Sequence, residues 1–295
     1  MTPAISVVIP TFNRLATLRT VIPSLLAQDL RADDYEIVVA DSRSDDGTAT
    51  YLASLGGRVR HLPGDYAGRA AARNAGIAAA RGEIVLFTDA DIIAAPDLLS
   101  RHLAHHRRER GIAVVGCELQ VGSFEEYERL RDRPELRRPL HPPSRRRLSW
   151  LYFLTGNASV RKESLERLGG FDESFTGYGH EDLELGYRLQ AAGIRILYDG
   201  DAVDYHWHPV PHDEHERKME LAGRSTVRFW RKHRSFAVRA RLGMTPLSLA
   251  LHGVLAARPR LVARLERSAA HGPGFARTLA YQFHYVSGIK EGLRG

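Results

Sequence analysis

The chain has 295 residues, 43% hydrophobic and 26% charged, an ordinary soluble composition with enough length for one large or two modest domains. Its single cysteine, Cys117, excludes an internal disulfide and is expected to be a small buried hydrophobe in a reducing compartment. The net charge of +7 is concentrated between Arg129 and Arg147, where eight arginines face only Asp132 and Glu135; without interleaved aromatics that stretch offers bases no stacking platform, which argues against nucleic acid. It reads as a solvated loop or as one facing an anionic ligand or membrane.

The opening "AISVVIP" is a β-branched run closed by Pro10 and reads as a first strand, not a signal peptide. Leu15, Leu18, Val21, Ile22, Leu25 and Leu26 then carry a helical period, with Pro23 inside it. "YEIVVAD" is a strand ending on Asp41, Gly47–Leu55 a helix, "RVRHL" a short strand, and Arg69–Ala80 an alanine-rich helix. "EIVLFTDAD" is a strand, Pro96 opens a helix to about Arg108, and "IAVVGCEL" is a strand. From Gly122 to Arg147 the pattern fails, and Pro134, Pro139, Pro142 and Pro143 suggest an irregular excursion. "NASVRKESLERLGGFDESF" reads as strand, helix and Gly-Gly turn, Asp182–Ala192 as a helix and "IRILYDG" as a strand. Glu216–His233 is a basic amphipathic helix, and the remainder looks helical. The apolar run "TPLSLALHGVLAA" is too short to span a membrane, which takes about 20 residues.

Near-continuous apolar strands alternating with helices imply a mostly parallel α/β sheet flanked by helices, with ligands outside the strands' carboxyl ends. Pro10-Thr11-Phe12-Asn13, Asp41 and Asp89-Ala90-Asp91 all fall at such ends. Asp89 and Asp91, two apart in extended chain, are expected to share one side, where two carboxylates call for donors or a hard cation such as Mg²⁺ or Mn²⁺. A plain Asp turn before the Pro96 helix is the other reading. Asp45 and Asp46 read as turn and cap.

Arg69 and Arg73 lie four apart on one helix face, fit to pair with phosphate, to organise Asp41 and Asp89, or simply to face solvent; Asn74 and Gly76 are expected against the sheet. In "FTGYGHEDLELGYRLQAAG", Glu181 and Asp182 occupy the first turn of a helix, where the macrodipole is expected to keep Asp182 ionised near neutral pH. Local reasoning leaves Asp182 open between cap and general base. His206, His208, His212 and His215 can all ligate metal; one histidine joining the Asp91 site is more economical than a four-histidine zinc cluster.

Taken together, "SVVIPTFNR", "VVADSRSDDGT", "RAAARNAGI", "FTDADI" and "GGFDESFTGYGHEDLELGYRLQAAG" resemble the family 2 glycosyltransferases of GT-A fold, and the last block also resembles galactosyltransferase-type enzymes. The resemblance implies a GT-A domain over 1–210, with a nucleotide-sugar half (1–120) and an acceptor half (150–210), then a helical extension over 211–295. It implies inverting transfer from a nucleotide sugar, UDP being the family's commonest base, with Mn²⁺ or Mg²⁺. Pro10, Thr11, Phe12, Asn13, Asp41, Arg69, Arg73, Asp89 and Ala90 would then line the nucleotide, with Asp41 reading the base. Asp91, with Asp89 and His206 (His208 second), would hold the metal. Asp182 would be the base, Glu181 its neighbour, and Tyr178 and Gly179 would lie by sugar or acceptor. The family's "DDGS" turn reads "DSRSDDGT" here, so Ser42 stands at its second acidic position.

The acceptor implied is a glycan, lipid-linked sugar, peptide or small molecule, with a cytoplasmic setting and peripheral membrane contact through the basic helix as a further expectation. A sugar nucleotidyltransferase would need a glycine- and lysine-bearing loop after the first strand, which "IPTFNRLATL" lacks. A catalytically dead fold that binds membrane or nucleic acid is opposed by the presence of Asp89, Asp91, Asp182 and His206.

Overall fold

The computed structural model describes residues 2–137, 147–207, 212–269 and 274–295. Close packing divides the chain into two units. One comprises Met1–Thr176 and Glu181–Pro209, the other Gly177–His180 and Val210–Gly295.

In the first unit the order is β1 (Ile5–Thr11), α1 (Leu15–Leu26), β2 (Tyr35–Asp41), α2 (Thr48–Ser54), β3 (Val59–Pro63), α3 (Arg69–Ala79), β4 (Ile84–Phe87), β5 (Ile92–Ala94), α4 (Leu98–Arg108), β6 (Ile112–Val121), α5 (Phe124–Asp132), β7 (Arg147–Leu148), β8 (Ala158–Arg161), α6 (Lys162–Arg167), α7 (Glu181–Ala191) and β9 (Arg195–Trp207). They form one sheet in the order β3-β2-β1-β4-β8-β6-β9-β5, with β7 also pairing β9. The β3-β2-β1-β4 half is parallel, as the alternation predicts. Beyond it the sheet is mixed: β8 runs antiparallel to both β4 and β6, while β6 pairs parallel with β9.

The parallel half is buried on both faces, and β1 is buried at every position. Two small sequence features set its geometry. Asp46 accepts from Leu15 N (2.8 Å) and Thr48 N (3.1 Å), so one carboxylate serves the starts of both α1 and α2. Gly76 faces β1, where a Cβ would collide with the Val8 side chain, so α3 lies close on the sheet. Asn74 does not pack on the sheet as expected; its amide donates to Phe171 O (2.9 Å) and accepts from Phe171 N (2.8 Å), tying α3 to the loop after α6.

Three expectations need revision. The excursion after Gly122 begins with a helix, α5, whose Ser123 Oγ accepts from Glu126 N at 3.2 Å, while Glu126 reaches back to Gly122 N at 2.8 Å. This S-x-x-E start is a capping signal that the nearby prolines and arginines obscured. Pro139, Pro142 and Pro143 lie outside the described residues. Asp89–Asp91 is no extended segment but a turn closed by Ile92 N to Asp89 O (3.2 Å). The strand expected as "IRILYDG" runs on to Trp207.

The second unit is helical: α8 (His212–His233), α9 (Phe236–Arg241), α10 (Pro246–Ala256), α11 (Pro259–Ala269) and α12 (Phe275–Arg294). Gly223 on α8 and Gly288 on α12 let the two backbones meet, since a Cβ at either would strike the partner helix's main chain. Among the described residues no helix is long and apolar enough to cross a membrane.

The collision at Gly76 sets the sign of a stability change. Gly76→Ala gains ~1 kcal/mol of helix propensity but overpacks a buried strand by ~1–3 kcal/mol. The expected outcome is a net loss of about 1 kcal/mol, read as a lower urea midpoint at unchanged m.

Candidate active site

The carboxyl ends of β1 and β4 and the amino end of α3 border a cleft of about 490 Å³. Pro10, Thr11, Phe12, Ser42, Arg69, Asp89, Ala90 and Asp91 line it, together with Arg14, Tyr66 and Gly68. Phe12 is 60% exposed at the rim, an aromatic face offered to solvent. Thr11 is buried, and its hydroxyl has no hydrogen-bond partner among the described residues. Asn13 takes φ 51° and works on its own loop, its amide oxygen accepting from Asp45 N at 3.0 Å.

Asp41 is buried and fully engaged. Its Oδ1 accepts from Ser44 N (3.0 Å) and Ser44 Oγ (2.5 Å), and its Oδ2 lies 3.0 Å from His61 Nε2. Neither Arg69 nor Arg73 organises it. Arg73 instead reaches Asp89 Oδ1 (2.8 Å) and Glu181 Oε1 (3.1 Å), with Arg69 Nε 3.3 Å from the same Glu181 oxygen. Arg73 is 2% exposed and its guanidinium lies 5.6 Å from the Phe171 ring. A buried cation of this kind is tolerable only when paired, and here the pairing joins the turn after β4 to the first turn of α7.

Glu181 and Asp182 therefore sit side by side in different states. Burial would raise the Glu181 carboxyl, but Arg69 and Arg73 outweigh it and hold it below its ordinary value. Asp182 is half-buried, and among the described residues its carboxylate accepts from Leu183 N, at 2.8 Å. Burial, and then the Glu181 charge, push it up to about 7. This overturns the expectation that the helix dipole keeps it firmly ionised. A dipole worth ~0.3–1 kcal/mol is less than the ~1.4 kcal/mol that moves a pKa by one, and desolvation beside a like charge is larger.

Asp91 and His206 come together through strand pairing. β5 pairs antiparallel with β9, placing Ile92 opposite His206 and Trp207 N 2.9 Å from Asp91 O. His206 Nε2 lies 3.6 Å from Asp91 Oδ1, and Nδ1 lies 3.2 Å from Glu118 Oε1. Burial would lower this imidazole, but Asp91 and Glu118 push it up to about 10. The donor set fits a divalent cation: one imidazole nitrogen and one carboxylate converge, and Glu118 with the Gln120 side-chain amide, 3.0 Å from Nδ1, holds the ring from behind. Asp89 does not join them, its carboxylate being turned to Arg73. Asp204, two residues before His206, is fully buried with neither oxygen bonded among the described residues; burial, then Glu118, raise it well above the usual carboxylate range.

His208 lies outside the described residues, as does the His212 side chain. His215 stacks on Tyr281 in the helical unit, ring centroids 4.4 Å apart. Tyr178 and Gly179 also belong to that unit. The Lys218 ammonium lies 5.6 Å from the Tyr178 ring, Ser225 Oγ donates to Tyr178 O at 3.1 Å, and Gly179 takes φ 88° against Ala222. Sequence reasoning missed Glu118 and Asp204. Glu118 is an acid in the mostly apolar run of β6 and Asp204 follows the apolar pair Ala202-Val203, where burial demands a partner, and that signal was available.

This fold, with acids and arginines at the strand ends, defines a GT-A nucleotide-sugar transferase architecture. The sequence profile described as "Glycosyl transferase family 2" matches residues 6–169, and one described as "N-terminal domain of galactosyltransferase" matches residues 140–205. The chain belongs to glycosyl transferase family 2.

It is 35% identical over 263 residues to validoxylamine A glucosyltransferase of Streptomyces hygroscopicus subsp. jinggangensis (strain 5008), covering 79% of this chain and 62% of the relative. It is 28% identical over 256 residues to the uncharacterized glycosyltransferase YfnE of Bacillus subtilis (strain 168), covering 68% and 64%. The chain thus spans somewhat under two thirds of the length of these curated relatives. Among solved structures, the mannosyltransferase PcManGT from Pyrobaculum calidifontis in complex with GDP-Man and Mn²⁺ shares the fold, with TM-score 0.66, 22% identity and 99% and 88% of the two chains covered. S. aureus TarS 1-349 in complex with UDP does so with TM-score 0.58, 20% identity and 99% and 91% covered.

The Arg73 bridge has a measurable consequence. Arg73→Ala leaves the buried Glu181 carboxylate with Arg69 alone and is expected to cost about 3 kcal/mol in urea unfolding. Adding Glu181→Gln to Arg73→Ala removes the stranded charge and is expected to recover part of that loss, a coupling read from the double-mutant cycle.

Proposed function

We propose that this chain is an inverting glycosyltransferase that moves a sugar from a nucleoside-diphosphate sugar to an acceptor hydroxyl, with Asp182 as general base. The observation that carries the reading is the pair Glu181–Asp182. Arginines hold one carboxylate ionised, and burial, then that neighbouring charge, brings the other to about 7, where a base is both available and strong. The family match, the cleft and the fold shared with nucleotide-sugar complexes support it.

In this reading Phe12 lies against the base and the free Thr11 hydroxyl bonds the nucleoside. Asp41 acts through the loop it anchors, holding Ser42 at the cleft wall. Arg69, partly exposed, faces the diphosphate. Asp91 and His206 would hold Mn²⁺ or Mg²⁺, with Glu118 fixing the His206 ring. When bound, the ion supplies Lewis-acid stabilisation of charge on the leaving diphosphate. The acceptor oxygen attacks the anomeric carbon from the face opposite the phosphate. The C–O bond to phosphate breaks with its electron pair leaving on the nucleoside diphosphate, and the acceptor proton passes to Asp182. One displacement inverts the anomeric centre.

UDP is our choice of donor nucleotide, and the Streptomyces relative's name favours a small-molecule acceptor over a glycan, lipid-linked sugar or peptide.

Turnover of UDP-, GDP- and dTDP-sugars with Mn²⁺, with and without acceptor, tests the donor. Asp182→Asn is expected to lower transfer by at least ~10²-fold while nucleotide still raises the melting temperature. Near-wild-type transfer by that variant would remove Asp182 from the mechanism. The pH profile is a separate check. The base must be deprotonated, so kcat/KM is expected to rise tenfold per pH unit on the acid side and level off above about 7.

A further inference from the structure

In the helical unit, α8, α11 and α12 converge on one histidine. His284 of α12 sits among Glu216 and Glu220, one turn apart on α8, and Glu266 of α11. Its Nε2 lies 3.2 Å from Glu266 Oε1 and 3.6 Å from Glu216 Oε2, and one ligand atom from each of the three residues lies within 4.8 Å of the other two. Nothing in the proposed transfer reaction uses these residues.

A salt bridge alone fits them poorly. Nε2 is buried and makes no hydrogen bond to either carboxylate, although both stand at ion-pair range. The spacing is instead that of ligands around a small ion: two donors ~2.0–2.2 Å from a tetrahedral zinc lie about 3.3–3.6 Å apart. The ring's other nitrogen is already committed, Nδ1 lying 2.9 Å from Glu220 Oε1. A carboxylate behind the ring that leaves Nε2 as the outward donor is the usual support of a metal-bound imidazole. Charge points the same way. Three partly buried carboxylates face this one imidazole, a donor set that suits a divalent cation.

We infer that Glu216, Glu266 and His284 form a divalent metal site of the zinc class, with Glu220 orienting the histidine. One imidazole and two carboxylates suit Zn²⁺, with water completing the shell. Its role is structural. α8 and α12 are already joined by the Gly223 and Gly288 backbone contact, so a shared ion adds α11 to that pair.

The test must separate this site from Asp91 and His206. Full-length protein carrying Asp91→Asn and His206→Gln is dialysed against zinc at pH 7.5, and bound metal is measured by mass spectrometry. One Zn²⁺ per chain is expected, with a zinc-dependent rise in melting temperature. In that background His284→Gln is expected to abolish tight binding. Glu220→Gln is expected to weaken it by about 10–100-fold, the effect of losing a carboxylate that orients a ligand. If His284→Gln does not fold, Glu266→Gln at a partly exposed position carries the same test, with at least a tenfold loss expected. No zinc on the parent would overturn the site and leave an ordinary contact between a histidine and its neighbouring carboxylates. Equal zinc affinity in the parent, Glu266→Gln and His284→Gln would also overturn it, placing the metal on other histidines. Glycosyl transfer does not enter either readout, so failure here leaves the proposed reaction untouched.

Discussion

The candidate site depends on one buried guanidinium. Arg73 is nearly inaccessible, and among the described residues Asp89 and Glu181 are the acids that pair with it in the interior. That pairing makes three distant parts of the chain meet: the turn after β4, the helix α3 and the first turn of α7. Removing either acid would leave a charge in low dielectric without enough partners, so the bridge specifies geometry as much as it stabilises.

The same bridge divides the labour between adjacent acids. Glu181, close to both arginines, is held as a carboxylate. Asp182, one residue on, has no comparable partner among the described residues and bears the loss of water as well as the repulsion of its neighbour. Two carboxylates that a sequence presents as equivalent therefore have different protonation states near neutral pH, which is how a site assigns a base without a histidine. His206 follows the opposite logic. Between Asp91 and Glu118 it holds its proton tightly, so any cation taking the Nε2 position must displace that proton.

Much of the architecture was legible because it rests on short-range rules. Apolar runs ending in Pro10-Thr11, Asp41 and Thr88-Asp89 marked strands whose carboxyl ends face a ligand, and α3 followed from its alanine-rich period. The helix α5 was missed although Ser123 and Glu126 spell its start, because nearby prolines and arginines outweighed a three-residue signal. Asp89 and Asp91 were placed on one side by assuming extended chain; the turn between them sends one to an arginine and the other to a histidine. The dipole argument for Asp182 failed for a related reason: it weighed a local field and left out desolvation, which depends on everything packed around the residue.

By itself the sequence determined the parallel half of the sheet, the chemistry at its strand ends and the acidic start of α7, since periodicity, turn residues and helix starts are properties of neighbours along the chain. Tertiary structure alone decided the antiparallel insertion of β8, the pairing of β5 with β9 that brings Asp91 to His206, the choice of Glu118 as that ring's support and the elevated pKa of Asp182. Each of these depends on groups far apart in sequence meeting in a medium that screens charge poorly, and neither their proximity nor their desolvation is encoded in local spacing.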